Sequence, residues 1–188
     1  SSNGLLNSPT FTHEYNTANL EFGHSVSTAG DVNGDGCSDI IIGIPLYEYG
    51  ETEEGRAVVF LGSSTGITLS NYWYVSPNQT GANLGYSVST AGDVNDDGYC
   101  DVIVGAPNYD NGETDEGRAF IYYGSQNGLS DTENWSSEGN QTSAKFGIAV
   151  AFAGDVNGDG YSDVIVGAQA YDNGEIDEGR AFVYHGSS

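Results

Sequence analysis

Three short segments of the chain carry oxygen-bearing side chains at a common spacing. They read DVNGDGCSD from Asp31, DVNDDGYCD from Asp93 and DVNGDGYSD from Asp155, and successive copies lie 62 residues apart. Each copy has Asp or Asn at positions 1, 3, 5 and 9, and Gly at position 6 permits a sharp reversal of the backbone. A hard divalent cation takes about six to eight oxygen ligands, which a short loop supplies when alternate side chains point inward. The pattern therefore predicts three calcium-binding loops.

Each loop offers four side-chain donors and the backbone carbonyl oxygen of its seventh residue. The candidate ligands are Asp31, Asn33, Asp35, Cys37 and Asp39 in the first loop, Asp93, Asn95, Asp97, Tyr99 and Asp101 in the second, and Asp155, Asn157, Asp159, Tyr161 and Asp163 in the third, of which Cys37, Tyr99 and Tyr161 would bind through the carbonyl. All of these donors are hard oxygens, and no set of histidines or thiolates accompanies them, which favours calcium over transition metals. We expect three calcium ions per chain.

The loops also have two other interpretations. Their spacing is similar to that of an EF-hand, but no Glu stands at position 12 and no amphipathic helical pattern flanks them. Asp, Asn and Gly also form hairpin turns without any metal. However, three carboxylates within each nine-residue loop repel one another, and this repulsion favours a bound cation.

The 62-residue repeat extends over nearly the whole chain, as the match of Trp73 with Trp135 shows. Within one unit, four short stretches of alternating or apolar residues are separated by turns rich in Gly, Asn and Asp, without helical periodicity. This pattern predicts an all-β protein in which each unit is a four-stranded antiparallel propeller blade. We expect a single repeat domain over residues 1–188, with units at about 11–72, 73–134 and 135–188 that each begin with the outer strand.

These residues resemble a known family. The order Phe-Gly, Asp-rich loop and Val-Ile-Val-Gly-Ala-Pro, the last at 102–107, is similar to the FG-GAP repeat of integrin alpha-subunit propellers and related extracellular proteins. The resemblance implies a calcium-stiffened β-propeller used as an interaction platform, with the metal loops joining the first and second strands of each blade. The departures are Gly43-Ile44-Pro45 in the first unit, Leu84 in place of Phe in the second and Gly167-Ala168-Gln169 in the third. Such propellers usually have seven blades, whereas this chain has material for three.

The phase of the repeat predicts how a ring would be completed. Phe11 aligns with Trp73 and Trp135, so the chain opens with the fourth strand of a blade, and residues 180–185 form the third strand of another. These two defects are complementary, and propellers avoid free edges. We expect a head-to-tail homo-oligomer, most simply a six-bladed dimer in which the strand near Phe11 is donated to the neighbouring chain. The alternative is a fragment of a larger propeller.

The chain is strongly acidic, with 27 Asp and Glu, 4 Lys and Arg and a net charge of −23. Because recognition of phosphates needs Lys and Arg, nucleic acid is excluded as a partner. No apolar run is long enough for membrane insertion. Many of the acids lie in turns around EYGETEEGR, DNGETDEGR and DNGEIDEGR, which fall on the face opposite the metal loops because strand direction reverses at each turn. That face is the candidate surface for a protein or glycan ligand, although its acids could instead hold extra calcium or keep the surface solvated.

Residues that could perform catalysis are scarce. The three histidines occupy different phases of the repeat, and no nucleophile elbow, P-loop or dinucleotide-binding fingerprint occurs. We therefore expect a protein that is not an enzyme. The Arg of each Gly-Arg pair is expected to pair with local carboxylates. Cys37 and Cys100 take non-equivalent loop positions, so free thiols are expected, with a disulfide as the alternative.

Three functions fit these features. The first is a calcium-stabilised extracellular adhesion or interaction module, as the integrin resemblance implies. The second is a multivalent lectin with sugar sites between blades, because some fungal lectins resemble this repeat and Tyr and Trp are abundant. The third is an architectural role in a surface assembly. A secreted or cell-surface location is expected, since such loops bind calcium at about 10⁻⁴ to 10⁻³ M in extracellular modules.

Overall fold

The computed structural model describes residues 4–188, and the regular structure of this part consists of β-strands. The strands are β1 (Ser25–Gly30), β2 (Asp39–Ile44), β3 (Arg56–Phe60), β4 (Tyr72–Val75), β5 (Ser87–Gly92), β6 (Asp101–Ala106), β7 (Arg118–Tyr122), β8 (Trp135–Glu138), β9 (Phe146–Gly154), β10 (Asp163–Ala168) and β11 (Arg180–Tyr184). The predicted all-β class is confirmed. Within these described residues, no helix is long and apolar enough to cross a membrane.

The strands form three antiparallel sheets, which we call blades 1, 2 and 3. Blade 1 has the order β1-β2-β3-β4, blade 2 the order β5-β6-β7-β8 and blade 3 the order β9-β10-β11. Neighbouring strands follow chain order, which is the meander of a propeller blade. The third blade has three strands in the described residues, as the phase of the repeat predicted. Each predicted metal loop joins the first and second strands of its blade, as the family resemblance implied.

The second strand of each blade is its buried centre. β6 (DVIVGA) is buried along its whole length, and β2 (DIIIGI) is buried at all but one position. β-Branched residues suit a pleated strand that is covered on both faces. The short apolar runs in the sequence therefore become the inner layers of stacked sheets.

The blades pack face to face through two apolar clusters. The first joins Ile41 of blade 1 to Val104 of blade 2, and the second joins Ile103 of blade 2 to Val166 of blade 3. All four of these side chains are fully buried. Because Val104 and Ile103 are neighbours on β6, successive residues of one strand face the two adjacent blades.

A glycine in β2 and β6 allows the next blade to approach closely. A Cβ atom on Gly43 would lie 1.9 Å from the carbonyl oxygen of Gly85, and one on Gly105 would lie 2.0 Å from that of Gly147. Gly85 and Gly147 are the glycines of the Phe-Gly-type pairs in the next blade. The Gly of the Val-Gly-Ala stretch and the Gly of the Phe-Gly pair are therefore contact partners across a blade junction.

Aromatic pairs close the outer part of each junction. The rings of Trp73 and Tyr122 are 4.9 Å apart, and those of Trp135 and Tyr184 are 4.8 Å apart. Phe11 contacts Phe60 at 6.2 Å, and these residues stand one repeat before Trp73 and Tyr122. The segment 11–15 thus covers blade 1 as the fourth strand of a preceding blade would.

The arginines of the Gly-Arg pairs pack on aromatic rings. The guanidinium carbon of Arg56 lies 3.8 Å from the ring centre of Tyr47 and 4.3 Å from that of Tyr74. Arg118 also approaches a carboxylate, Glu138, at 3.9 Å. Arg118 therefore pairs with a carboxylate, as predicted from the sequence, whereas Arg56 is held mainly by cation–π contacts.

Candidate metal centre

The three predicted metal loops share one internal structure. In the first loop, Asp31 Oδ1 accepts a hydrogen bond from Asp35 N at 3.1 Å, and Asp31 Oδ2 accepts one from Gly36 N at 2.8 Å. The carboxylates of Asp93 and Asp155 accept the equivalent pairs, at 3.0 and 2.8 Å and at 3.1 and 2.9 Å. The three loops therefore have the same backbone hydrogen bonds, as their common spacing predicted.

Positions 3 and 5 contact each other inside each loop. Asn33 Oδ1 accepts a hydrogen bond from Asp35 N at 3.0 Å, and Asn33 Nδ2 donates one to Asp35 Oδ2 at 3.1 Å. The same two bonds link Asn95 with Asp97, and Asn157 with Asp159. The side chains at positions 1, 3 and 5 are thus gathered around one turn.

The Asp at position 9 anchors each loop to the sheet. Asp101 is fully buried, its Oδ2 accepts a hydrogen bond from Val94 N at 2.8 Å, and its Oδ1 accepts one from Gly124 N at 2.9 Å. Asp39 and Asp163 are also fully buried and accept the equivalent pairs of bonds. A carboxylate has about four lone-pair positions, so two accepted bonds leave capacity for a cation.

Burial perturbs these carboxyl groups. Burial, with smaller contributions from the charges of Asp97 and Asp93, raises the pKa of Asp101 to about 7. Burial likewise raises the pKa of Asp39. For Asp163 burial acts in the same direction, but two backbone N–H groups and the nearby His185 outweigh it, and the pKa is lowered.

The backbone at position 4 is a feature that the sequence reasoning missed. Gly34 and Gly158 have φ of 71° and 76°, and Asp96 adopts the same left-handed conformation with φ of 57°. Gly stands at this position in two of the three loops, and this recurrence could have indicated the left-handed backbone. At position 7, Cys37 N donates to Asp35 Oδ1 at 2.9 Å, and the use of its carbonyl oxygen as a ligand stays a prediction.

The donor chemistry of each loop fits a hard divalent cation. The side-chain donors are oxygens, and each loop brings together three carboxyl groups, at positions 1, 5 and 9. Burial chiefly raises the pKa of Asp101, and the nearby charges of Asp97 and Asp93 add to the shift. In residues 4–188, no three His, Cys, Asp or Glu side chains already converge on a point where a metal could sit. The loop carboxylates are instead engaged by the backbone N–H groups of their own turn.

The opposite face of the blades is organised by contacts between neighbours. Gln79 Nε2 donates to Asp110 O at 2.9 Å, and Asp110 N donates to Gln79 Oε1 at 2.7 Å. Gln141 and Asp172 make the same pair of bonds, at 3.1 and 2.6 Å. The repeated Asn-Gln-Thr stretches thus bind the acidic turn of the next blade, a role that the sequence analysis did not identify.

The acidic turn of blade 2 is held by hydrogen bonds to a buried glutamate. Glu116 is buried, and its Oε1 accepts hydrogen bonds from Asn111 N at 2.7 Å and Glu113 N at 3.3 Å. Its Oε2 accepts one from Asn140 N at 3.1 Å. These bonds give the Glu116 carboxylate a structural role in the turn.

Two grooves lie between blades at equivalent positions. The larger, of about 480 Å³, lies between blades 1 and 2 and is lined by Tyr72, Trp73, Leu129 and Asp131 among others. The smaller, of about 130 Å³, lies between blades 2 and 3 and includes Trp135. Trp73 Nε1 donates to Ser130 O at 3.0 Å, so its polar atom already has a protein partner.

Both cysteines are free thiols in the structure. Burial, followed by the charge of Asp35, raises the pKa of the Cys37 thiol, and burial raises that of Cys100. Raised pKa values disfavour the reactive thiolate. Neither thiol is therefore activated for nucleophilic chemistry.

The chain is similar in sequence to several integrin alpha chains. Integrin alpha pat-2 of Caenorhabditis briggsae is 34% identical over 182 residues, which cover 88% of this chain and 15% of that protein. Integrin alpha-5 of Xenopus laevis is 32% identical over 176 residues, covering 89% and 16%, and integrin alpha-6 of Homo sapiens is 38% identical over 148 residues, covering 78% and 12%. The chain thus spans about a sixth or less of the length of these relatives.

The family model described as the FG-GAP repeat matches three segments, at residues 22–60, 84–122 and 146–184. Each match begins at the Phe-Gly or Leu-Gly pair, includes one metal loop and ends in the third strand of a blade. The resemblance predicted from the sequence is therefore confirmed, and the chain belongs to the FG-GAP repeat family.

Proposed function

We propose that this chain is a calcium-stabilised, non-catalytic interaction module of the adhesion type that works outside the cell, secreted or at the cell surface. The observation that carries the proposal is the threefold recurrence of one oxygen-rich loop at the start of each blade's second strand, within a family shared with integrin alpha chains. The chain has a net charge of −23, and this acidity argues against nucleic acid as the ligand.

Calcium would act as a structural ion in this proposal. Asp93, Asn95 and Asp97 would supply side-chain oxygens from the loop, Asp101 from the start of β6, and Tyr99 its carbonyl, with equivalent sets in the other two loops. Bound calcium would compensate the buried charge of the position-9 carboxylate. Because the ion would hold the folded loop and not the unfolded chain, it would stabilise the blade by mass action.

The proposed ligand surface is the face opposite the metal loops. The Gln–Asp bonds on that face fix the acidic turns of neighbouring blades relative to one another. A fixed array of repeated turns offers a preorganised surface, which reduces the entropic cost of binding. The chemistry of this surface fits a protein ligand with complementary basic groups.

A lectin is the second candidate, supported by the two equivalent grooves beside Trp73 and Trp135. Their aromatic lining and recurrence would suit a multivalent sugar binder. The packing of Trp73 on Tyr122 and of Trp135 on Tyr184 leaves less ring surface for a sugar, which places adhesion first.

One experiment separates the candidates. The chain would be tested in calcium against a glycan array and, by biolayer interferometry, against purified extracellular-matrix proteins. Adhesion predicts saturable binding to a protein that weakens in Glu175→Lys, on the proposed face, but not in the matched variant Glu133→Lys, at the other end of the blades. Binding to one sugar class, abolished by Trp73→Ala, would instead establish the lectin.

A further inference from the structure

Neighbouring metal loops contact each other through their backbones. We number the loops 1, 2 and 3 by their first residues, Asp31, Asp93 and Asp155. The first residue of loop 1 and the eighth residue of loop 2 are joined by a hydrogen bond of 3.0 Å from Cys100 N to Asp31 O. Ser162 N of loop 3 donates the equivalent bond to Asp93 O of loop 2, also at 3.0 Å. Position 8 of one loop therefore holds position 1 of the loop before it.

The side chain at position 8 makes the two contacts unequal. Ser162 Oγ accepts a hydrogen bond from Asp93 N at 3.1 Å, so both backbone groups of Asp93 are held by one residue. Cys100 stands at this place in loop 2, and a thiol sulfur is a weak acceptor. The two side-chain atoms occupy equivalent positions, because a Cβ atom on Gly92 would collide with Ser162 Oγ and one on Gly30 with Cys100 Sγ. The contact from loop 2 to loop 1 is therefore the weaker one.

A second connection links the buried carboxylates at position 9. Asp101 Oδ1 of loop 2 accepts a hydrogen bond from Gly124 N at 2.9 Å. The next residue, Ser125, donates its N–H to Val32 O at 3.1 Å, and Val32 N donates to Asp39 Oδ2 of loop 1 at 2.9 Å. Hydrogen bonds therefore lead across the blade junction from one predicted calcium ligand to another.

The same connection joins loop 3 to loop 2. Gly186 N donates to Asp163 Oδ1 of loop 3 at 2.9 Å. Ser187 N donates to Val94 O at 2.9 Å, and Val94 N donates to Asp101 Oδ2 of loop 2 at 2.8 Å. One oxygen of Asp101 thus bonds to its own loop and the other to the segment that holds loop 1. The three position-9 carboxylates form one series through both blade junctions.

The two connections meet at the glycine after the third strand. A Cβ atom on Gly124 would collide with both Cys100 O of loop 2 and Val32 O of loop 1. Val32 is also fully buried. In a junction packed this closely, a shift of position 8 in one loop displaces position 2 of the loop before it. Ordering one loop therefore restricts its neighbour.

We propose that the three loops bind calcium with positive coupling between neighbours, transmitted by the position-8 contact and by the position-9 series. This inference rests on the proposed calcium binding. An ion in loop 2 would fix the residues on both sides of Cys100, namely the Tyr99 carbonyl and the Asp101 carboxylate. Because these residues support positions 1 and 2 of loop 1, loop 1 loses less conformational freedom when it binds its own ion. By linkage, an ion in loop 1 raises the affinity of loop 2 by the same factor.

Charge acts in the opposite direction. Each loop has three carboxylates at ligand positions, so an ion in one loop reduces the negative potential that attracts an ion to the next. At an ionic strength of about 0.15 M the Debye length is about 8 Å, which screens exposed charges that lie farther apart. We therefore expect the coupling through the backbone to prevail in about 0.15 M salt and to be smaller in about 0.01 M salt.

The test is a calcium titration of chelator-stripped, isotope-labelled protein in about 0.15 M salt, followed by nuclear magnetic resonance. The amide signals of Gly36, Gly98 and Gly160, which donate to the first Asp of loops 1, 2 and 3, report the affinity of each loop separately. Asp159→Ala removes an exposed ligand of loop 3 and leaves its buried anchor in place. It should weaken calcium binding at loop 2 by about fivefold or more. Asp35→Ala, in loop 1, should also weaken binding at loop 2.

Two substitutions at position 8 keep every ligand and test the contact itself. Ser162→Ala removes the acceptor for Asp93 N and should reduce the coupling between loops 2 and 3 by about threefold. Cys100→Ser supplies this acceptor to Asp31 N and should increase the coupling between loops 1 and 2 by about the same factor, a gain that a folding defect cannot imitate. Ser38→Ala makes the matched change in loop 1 and should leave the affinities of loops 2 and 3 unchanged.

The outcomes separate this inference from the proposed function. Each variant is compared only where it keeps the far-ultraviolet circular dichroism of the parent. Three ions that bind independently, or a coupling that neither position-8 variant changes, would overturn the inference and leave calcium binding intact. The absence of binding at every loop would overturn the proposed function and this inference together.

Discussion

Asp101 and Gly124 are joined by a hydrogen bond of 2.9 Å between a buried carboxylate oxygen and a backbone N–H, 23 residues apart in sequence. Asp39 with Gly62 and Asp163 with Gly186 form the same bond, at 2.8 and 2.9 Å. The last residue of each metal loop therefore holds the chain just after the third strand of its blade. A ligand position and a structural anchor are the same side chain, so changes in its charge affect the stability of the blade.

The first prediction concerns pH. The pKa of Asp101 is raised to about 7 in the folded protein, from an ordinary value of 3.8, so the folded state binds this proton more tightly than the unfolded chain. The contribution of Asp101 to the free energy of unfolding of calcium-free protein is therefore largest below about pH 4 and declines as the pH rises to about 7. Urea unfolding in chelator at several pH values measures the decline.

The control for this pH effect is Asp101→Asn, which does not titrate. It should remove the part of the pH dependence that Asp101 contributes, and it should cost about 1–3 kcal/mol because an amide cannot accept from both buried N–H groups. If the free energy of unfolding of the parent and of the variant shows the same pH dependence between about pH 4 and 7, the pKa of Asp101 is not raised in the folded protein.

The second prediction concerns the close contact between blades. Gly105→Ala places a methyl group 2.0 Å from a backbone oxygen of blade 3, and we expect a loss of about 1–3 kcal/mol or more in the free energy of unfolding. Gly167→Ala is the matched control, since its nearest neighbour would be at 3.6 Å. Thermal unfolding of both variants should show a large loss for Gly105→Ala alone. Equal losses in the two variants would contradict the close packing of Gly105 against blade 3.

The third prediction concerns the face opposite the metal loops. Gln141→Ala removes two hydrogen bonds to the acidic turn of blade 3, at 3.1 and 2.6 Å, and should cost about 1 kcal/mol, since both lie near solvent. Gln126→Ala changes an exposed glutamine in a turn and should have no measurable effect. Hydrogen exchange should also show faster opening of residues 172–178 in Gln141→Ala. Unchanged exchange there would show that the bonds do not order the turn.

The strands and loops were largely predictable from the sequence because local chemistry dictates them. Short runs of β-branched residues between turn residues, such as Val102-Ile103-Val104, favour a covered strand. The Asp-Asn-Gly spacing predicted the place of each loop. The 62-residue period then aligned residues of different blades, which is why the pairing of Phe11 with the position of Trp73 could be foreseen.

Other features depend on contacts between blades and could not be read from one unit. The pairing of Gln79 with Asp110 joins residues that are distant in sequence, and nothing in an Asn-Gln-Thr stretch specifies its partner. The stacking of Arg56 on Tyr47 instead of a carboxylate likewise follows from which side chains the junction buries together. The protonation of Asp101 depends on burial, which the loop sequence alone does not determine.

The most direct test of the account is the number of calcium ions that bind to the chain, measured by isothermal titration calorimetry on chelator-stripped protein. We predict three ions per chain, two after Asp93→Ala or Asp97→Ala, and three after Asp131→Ala, which removes an exposed acid outside the loops. Binding should raise the midpoint of thermal unfolding. The absence of any heat of binding at millimolar calcium, together with an unchanged midpoint, would contradict the account.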